Sequence, residues 1–297
     1  MKKMDRRDFI KTGLSGIAGL TILPAGITLT SSKCSSDKLI DMVKLGKSGL
    51  TVPRLAMGTG TRGYNRSSNQ TRQGMEAFLS LARHAYERGA RFYDMADGYG
   101  SMPFVAEAIK TLPREKITLL SKLWTSDYNA ENPDNVEGHI DRFRKELGVD
   151  QIEILLLHCM QRGNWNTTRK HYMDSFSKAK QAGIIKAVGI SSHNKEALAE
   201  AAVNPWVDVI MARINPFGTN MDGQPDEITK ILATAKANGK GIIGMKIFGE
   251  GKHVQDDERE KSIRFAFKEG CVNCVTLGLE SIAQMDDAIE KLMSLKA

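Results

Sequence analysis

The chain has 297 residues, 41% of them hydrophobic and 26% charged, with 42 Lys and Arg against 35 Asp and Glu for a formal net charge of +7. A chain of this length buries a sizeable core, and its four cysteines imply no disulfide framework. The positive balance is mild and no basic patch is interleaved with aromatics, so nucleic acid is excluded as a partner.

The N-terminus is a separate object. Asp5-Arg6-Arg7-Asp8-Phe9-Ile10-Lys11 precedes a small-residue-rich, mildly apolar stretch from Thr12 to Thr30. This segment resembles a twin-arginine export signal and is too rich in Gly and Thr for a membrane span. Residues 1–33 carry six cations against two acids, a net of +4, which leaves about +3 of the formal +7 for the rest. The expectation is a signal peptide over 1–33 read by the twin-arginine machinery, then a barrel over 34–297. The mature protein would lie in the periplasm or cell envelope with no stable membrane span. Cys34, in Ser32-Lys33-Cys34-Ser35, is a candidate lipid anchor, although Lys33 is unlike the small residue such sites carry.

Asp41 to Val52 reads as a β-hairpin around Gly46-Lys47-Ser48-Gly49. Eight short runs rich in Val, Ile and Leu follow: 54–59, 91–96, 117–123, 152–158, 186–191, 207–214, 241–247 and 274–279. Several are apolar on both faces, the pattern of a parallel sheet covered by helices. Helical patterns lie between them, including Met75 to Tyr86 stopped by Gly89, Tyr172 to Gln181 stopped by Gly183, and Asp226 to Ala237 stopped by Gly239. Eight strand–helix alternations over about 250 residues predict an α/β fold, the (β/α)8 TIM barrel with an N-terminal hairpin. An open doubly wound sheet is the alternative, weakened because no Gly-x-Gly-x-x-Gly follows the first strand.

Three consecutive strands end on ionisable residues: Asp94, with Tyr99 five residues on, then Lys122, then His158. Burying charge is costly, so three such endings suggest one shared site at the strand C-termini. Cys271-Val272-Asn273-Cys274 has redox or metal spacing but no second pair to complete a metal site, and Cys274 opens a strand where a small apolar residue fits. No metal is expected. Cys159, adjoining His158, is expected to pack beneath the site. His84, His139, His171 and His253 read as surface, and His193 as a rim residue.

These residues reach a family. Leu45-Gly46-Lys47-Ser48-Gly49-Leu50-Thr51-Val52, Met57-Gly58-Thr59, Tyr93-Asp94-Met95-Ala96 with Tyr99-Gly100, Ser121-Lys122, Leu157-His158 and Val188-Gly189-Ile190-Ser191-Ser192-His193 occur in the order of the aldo-keto reductases. The region from about Val43 to Ile289 resembles that family, whose Asp, Tyr, Lys and His tetrad falls on Asp94, Tyr99, Lys122 and His158. The resemblance implies an NAD(P)-dependent oxidoreductase, with NADP or NAD as cofactor and a small carbonyl or alcohol as substrate. Tyr99 would be the general acid or base, Lys122 would lower its pKa, Asp94 would hold Lys122, and His158 would orient the substrate oxygen.

The same resemblance implies cofactor contacts at Gly58 and Thr59, at the Ser191 and Ser192 pair, and at Lys246, Phe248, Gly249 and Gly251 in the loop after the seventh strand. Gly278, Ser281 and Gln284 would hold the adenosine end. Trp124 and Trp165 would wall the substrate. The chain departs from the family where Ile214 aligns with the tyrosine that stacks on nicotinamide, and where Met211, Gln284 and Ala288 replace polar cofactor contacts. A second function class therefore stands beside the enzyme: a catalytically weak barrel acting as a binding or accessory protein in the cell envelope.

Overall fold

The computed structural model describes residues 39–125 and 135–295. The export motif, Cys34 and the whole 1–33 segment lie outside these residues. A two-stranded antiparallel hairpin, β1 (Met42–Lys44) and β2 (Thr51–Pro53), comes first. Eight strands then close a barrel: β3 (Leu55–Gly58), β4 (Phe92–Asp94), β5 (Thr118–Trp124), β6 (Ile152–Met160), β7 (Ile185–Ser192), β8 (Val209–Arg213), β9 (Gly241–Met245) and β10 (Cys274–Leu277). Every neighbouring pair is parallel, and β10 pairs with both β9 and β3 to complete the ring. The fold is the (β/α)8 barrel with the expected hairpin, not the open sheet.

The helices are α1 (Asn69–Arg72), α2 (Met75–Glu87), α3 (Met102–Ile109), α4 (Val136–Leu147), α5 (Trp165–Thr168), α6 (Lys170–Gln181), α7 (Lys195–Val203), α8 (Pro225–Ala237), α9 (Asp256–Lys268) and α10 (Ile282–Ser294). Their boundaries follow local chemistry. Helix α2 buries Phe78, Leu81, Ala82 and Ala85, a stripe at helical spacing, and Gly89 at φ 87° ends it. The Asn135 side chain caps α4 by accepting from Gly138 N–H at 3.0 Å, and Gly148 in the left-handed region closes it.

Period-two alternation divides each strand between two cores. Phe92, Leu120, Ile154, Leu156, Ala187, Val209, Met211, Ile243 and Cys274 fill the barrel interior. Tyr93, Leu119, Leu155, Leu157, Val188, Ile190, Ile210 and Ala212 face the helices. The hairpin plugs the N-terminal end of the barrel: Leu45 and Val52 are fully buried in the interior cluster, and Lys47 N–H donates to Gly239 O at 2.8 Å. Asn273 also donates to Lys44 O at 3.1 Å. With the bottom sealed, the layer left to carry polar side chains is the last inward position of each strand, at the C-terminal mouth.

Candidate functional site

The same alternation sets the site. Two residues beyond the inward-facing Phe92, Leu120 and Leu156, the next inward positions are Asp94, Lys122 and His158. Lys122 is 1% and Asp94 6% exposed, and the two form a buried ion pair. The Lys122 ammonium also donates to Met95 O at 2.8 Å, and the Thr276 hydroxyl of β10 donates to the second Asp94 oxygen at 2.8 Å. Thr276 was not legible as a site residue in the sequence; its signal is only that it is the inward residue one step after Cys274. Gly58 faces the same layer, and a Cβ there would lie 3.0 Å from the Thr276 hydroxyl.

Tyr99 closes a single 3-10 turn, Asp97–Tyr99, after β4. Its ring centroid lies 5.0 Å from Lys122 Nζ and 5.8 Å from the His158 ring, edge-on at 87°. Gly60 and Gly63 make room for it: a Cβ on Gly60 would sit 2.2 Å from Tyr99 Cε2, and one on Gly63 2.5 Å from Cδ1. These two glycines were missed in the sequence, because only the fold brings the β3–α1 loop over the ring. Trp124 stands on the other side of His158, centroids 4.9 Å apart at 89°. Asp94, Tyr99, Lys122, His158 and Trp124 are thus one cluster.

Electrostatics at this cluster differ from the sequence expectation in one respect. The resemblance implies that Lys122 lowers the Tyr99 pKa. Instead, desolvation pushes the Tyr99 phenol up, with the Asp94 carboxylate adding to the rise. The reason is that Lys122 is already matched by Asp94, and burial pulls its own pKa below the ordinary lysine value. Burial also holds His158 well below the usual histidine range, helped by the Lys122 and Lys246 charges. His193 falls to about 3, first through desolvation and then through Lys246, Arg213 and Lys122. Both imidazoles are neutral at neutral pH.

His158 Nδ1 is buried with no hydrogen-bond partner among the described residues, and so is Trp124 Nε1. An unpaired buried N–H costs more than an unpaired acceptor, which favours the His158 tautomer carrying its proton on Nε2. A β-bulge shapes this corner. Leu157 pairs with Ile190 but Met160 with Ser192, so β6 carries one extra residue. Cys159, at φ 64°, is that residue, and its N–H donates to the Ser191 hydroxyl at 2.7 Å. Cys159 therefore does not pack beneath the site. It lies at the mouth, within electrostatic reach of Tyr99, Lys246, Arg213 and Asp222.

The residues expected at the cofactor are divided. Ser191 accepts from Cys159, and the Ser192 hydroxyl donates to Asn194 O at 2.8 Å. Thr59 is fully buried and its hydroxyl donates to Asp94 O at 2.8 Å, tying β3 to β4. In the loop after β9, Gly249 N–H donates to Lys246 O and Gly251 N–H to Phe248 O, while Lys246 pairs with Glu250. Gly249 and Gly251 have φ of 57° and 87°, the left-handed region that glycine permits. Ser281 caps α10 by accepting from Gln284 N–H, and the Gln284 side chain accepts from Glu280 N–H at 2.7 Å. Gly278 is packed so closely that a Cβ would meet the Thr61 hydroxyl at 2.0 Å.

One expectation is corrected by packing, and one departure from the family is explained by it. Trp165 is 2% exposed, its indole N–H donates to Ala197 O at 3.2 Å, and it packs beside Trp206; it is a core residue of the helix layer, not a substrate wall. Ile214, aligned with a ring-stacking tyrosine, is fully buried in the outer core, one residue out of phase with the inward positions of β8. Arg213 takes the inward position, paired with the fully buried Asp222 side chain. Arg213 Nε and Asp222 Oδ2 have no partner among the described residues. Burial raises the Asp222 pKa while Arg213 opposes the rise. This pair carried no sequence signal, since its members come from a strand end and the loop after it.

The mouth thus gathers a phenol, a neutral imidazole, a buried ammonium–carboxylate pair and several unpartnered buried polar atoms. Those groups fit a small polar ligand, and a nicotinamide ring with its primary amide is of that kind.

Known proteins resemble this chain. The D-threo-aldose 1-dehydrogenase of Pseudomonas sp. is 24% identical over 241 residues, covering 71% of this chain and 70% of that protein. An NADP(+) aldo-keto reductase of Schizosaccharomyces pombe is 26% identical over 212 residues, covering 68% of this chain and 59% of the relative. A solved structure from Pseudomonas aeruginosa superposes with a TM-score of 0.71 at 20% identity, covering 88% of this chain and 98% of its own, a likeness of fold. Residues 54–296 match the model of the aldo/keto reductase family, and the chain belongs to that family of oxidoreductases.

Proposed function

We propose that the protein reduces a small carbonyl compound with a nicotinamide cofactor, Tyr99 acting as general acid. The observation that carries the reading is the Tyr99 ring set between Lys122 Nζ at 5.0 Å and the His158 ring at 5.8 Å, above the buried Asp94–Lys122 pair. When bound, the cofactor supplies the hydride; the chain supplies position and a proton. The Lys246–Gly251 loop and the Ser191, Ser192 and Arg213 side chains border the place where it would rest. His158 donates from Nε2 to the carbonyl oxygen and fixes its approach. Tyr99 then gives its proton to the developing alkoxide, and the Lys122 ammonium, 5.0 Å from its ring, offsets part of the cost of burying the phenolate left behind.

Burial and the Asp94 carboxylate raise the Tyr99 pKa, so at neutral pH the phenol holds its proton, the form that serves reduction. Single-turnover reduction of an aldehyde by NADH or NADPH is expected to be level from roughly pH 6 to 9, with no limb near the ordinary histidine pKa of about 6.5. Alcohol oxidation is expected to rise with pH throughout that range. A reduction limb near pH 6.5 would show a titrating imidazole and overturn the neutral His158 assignment. The sign for stability is separate: a histidine lowered to about 3 is protonated only in the unfolded chain between that value and about 6.5. Folding then weakens as pH falls, by up to about 1.4 kcal/mol per pH unit for His193.

The accessory-protein reading has one observation in its favour: the Ser192 hydroxyl and the Gly249 and Gly251 N–H groups are already committed within the protein. Cofactor binding without oxidation by any aldehyde or ketone offered would select it. We further place the activity in the cell envelope, on the Arg6-Arg7 motif and the apolar stretch behind it. The expected result is recovery from the envelope fraction of a form lacking the first 33 or so residues. An uncleaved chain confined to the cytoplasm would defeat that placement.

A further inference from the structure

Tyr99 sits on a weak element. Its 3-10 turn is one turn long, and the sequence Asp97-Gly98-Tyr99-Gly100 sets the tyrosine between two glycines. A single turn gains little from helix cooperativity, and glycine leaves the backbone free to move. Yet proton transfer needs the phenol held to a fraction of an ångström. Something outside the turn has to fix it.

Helix α4 supplies that fixture. Arg142 Nη1 donates to Asp97 Oδ1 at 3.0 Å and Nη2 donates to Asp97 Oδ2 at 2.8 Å, a two-pronged pair with the first residue of the turn. Glu146, one helical turn on, accepts from Nη1 at 2.9 Å and aims the guanidinium. The β3–α1 loop grips the same turn from its other side. Arg66 N–H donates to Gly98 O at 2.9 Å, and its guanidinium reaches Asp97 at 3.4 Å and Glu146 at 3.4 Å. Gly100, at φ 64°, lets the backbone approach so closely that a Cβ would lie 1.9 Å from Arg66 O.

We infer that Arg142 is a positioning residue for Tyr99, acting through its two-pronged bond to Asp97. This rests on the reading of Tyr99 as the general acid. The Arg142 side chain is about one-third exposed, 32%, and the Asp97 side chain 26%. The pair is two-pronged and networked with Glu146 and Arg66, so its removal costs some stability, and its role at Tyr99 is read from a loss of rate beyond that cost.

The test is a double-mutant cycle in single-turnover aldehyde reduction, with cofactor affinity and thermal midpoint read alongside. Arg142→Met is expected to lower the hydride-transfer rate by about 10- to 100-fold, the cost of a misplaced reacting group. Cofactor affinity and substrate KM stay unchanged, while the thermal midpoint falls by a few degrees at most. Arg142→Lys, which keeps the charge but loses the fork, is expected to recover part of the rate. Asp97→Asn, which keeps the shape of the acceptor, provides a second variant should Arg142→Met fold poorly, and it is expected to lose rate in the same way. In a Tyr99→Phe background, Arg142→Met is expected to cost nothing more, because the group it positions is gone. A full further loss in that background, or a wild-type rate in both Arg142→Met and Asp97→Asn, overturns the inference. If Tyr99→Phe alone keeps the wild-type rate, it is the general-acid reading that fails instead.

Discussion

Tyr99→Phe is expected to lower single-turnover carbonyl reduction by about 10²- to 10⁴-fold, the usual contribution of a positioned general acid. Cofactor affinity and thermal midpoint should stay near those of the wild type. The ring itself is retained, so its edge contact with His158, its contact with Lys122 and its seat against Gly60 and Gly63 survive. What is lost is one hydroxyl. Because the phenol is protonated in the resting site, the loss should be the same across neutral pH. A mutant that reduces an aldehyde at the wild-type single-turnover rate would remove Tyr99 from the chemistry.

Lys122→Met is expected to destabilise the fold by about 3–5 kcal/mol, because it leaves a buried carboxylate without its counter-charge. Asp94 is 6% exposed and would keep only the Thr276 hydroxyl and its surroundings as partners. For a domain of this size that loss lowers the thermal midpoint by roughly 6–20 °C. Replacing both partners, Asp94→Leu with Lys122→Met, should return much of the stability, since an apolar pair avoids the desolvation of two charges. Activity should not return with it, as neither the ammonium nor its anchor remains. Thermal unfolding and single-turnover rates on the same three proteins separate the two roles. A single Lys122→Met that unfolds within about 1 kcal/mol of the wild type would contradict the buried-pair account.

The separation of folding and function in that experiment reflects where the ion pair sits. It occupies the last inward layer of the barrel, above an interior that is otherwise apolar, including Phe92, Leu120, Leu156 and Met211. A fold needing only stability would fill that layer with more of the same. The layer instead carries Asp94, Lys122, His158, Ser191, Arg213 and Thr276, the inward residues of six different strands.

Much of this was legible in the sequence. The eight strands, the hairpin and the helices ended by Gly89, Gly183 and Gly239 follow from apolar runs and glycine stops, signals that are local and strong. The tetrad positions were legible for a related reason: an ionisable residue ending an apolar strand is conspicuous, and three in succession coincide with the family order. Their gathering into one cluster is a consequence of barrel closure, which places consecutive strand ends side by side.

Tertiary structure alone decided the rest. Trp165 looked like a substrate wall because an aromatic in a loop is ambiguous, and only packing against Trp206 and the Ala197 carbonyl resolved it. Ile214 and Arg213 differ by one residue, and a one-residue difference along a strand reverses the face; the register of β8 against β9 put Arg213 at the mouth. The bulge at Cys159, the Gly60 and Gly63 seat, and the Arg142–Asp97 clamp join residues 30 or more positions apart or depend on a backbone irregularity. The sequence by itself determined the period, the stops and the order of the chemical groups, because those are properties of neighbours in the chain. Which atoms face one another, how far each charge is desolvated and which hydrogen bonds are already taken are properties of neighbours in space, and the closed barrel settled them.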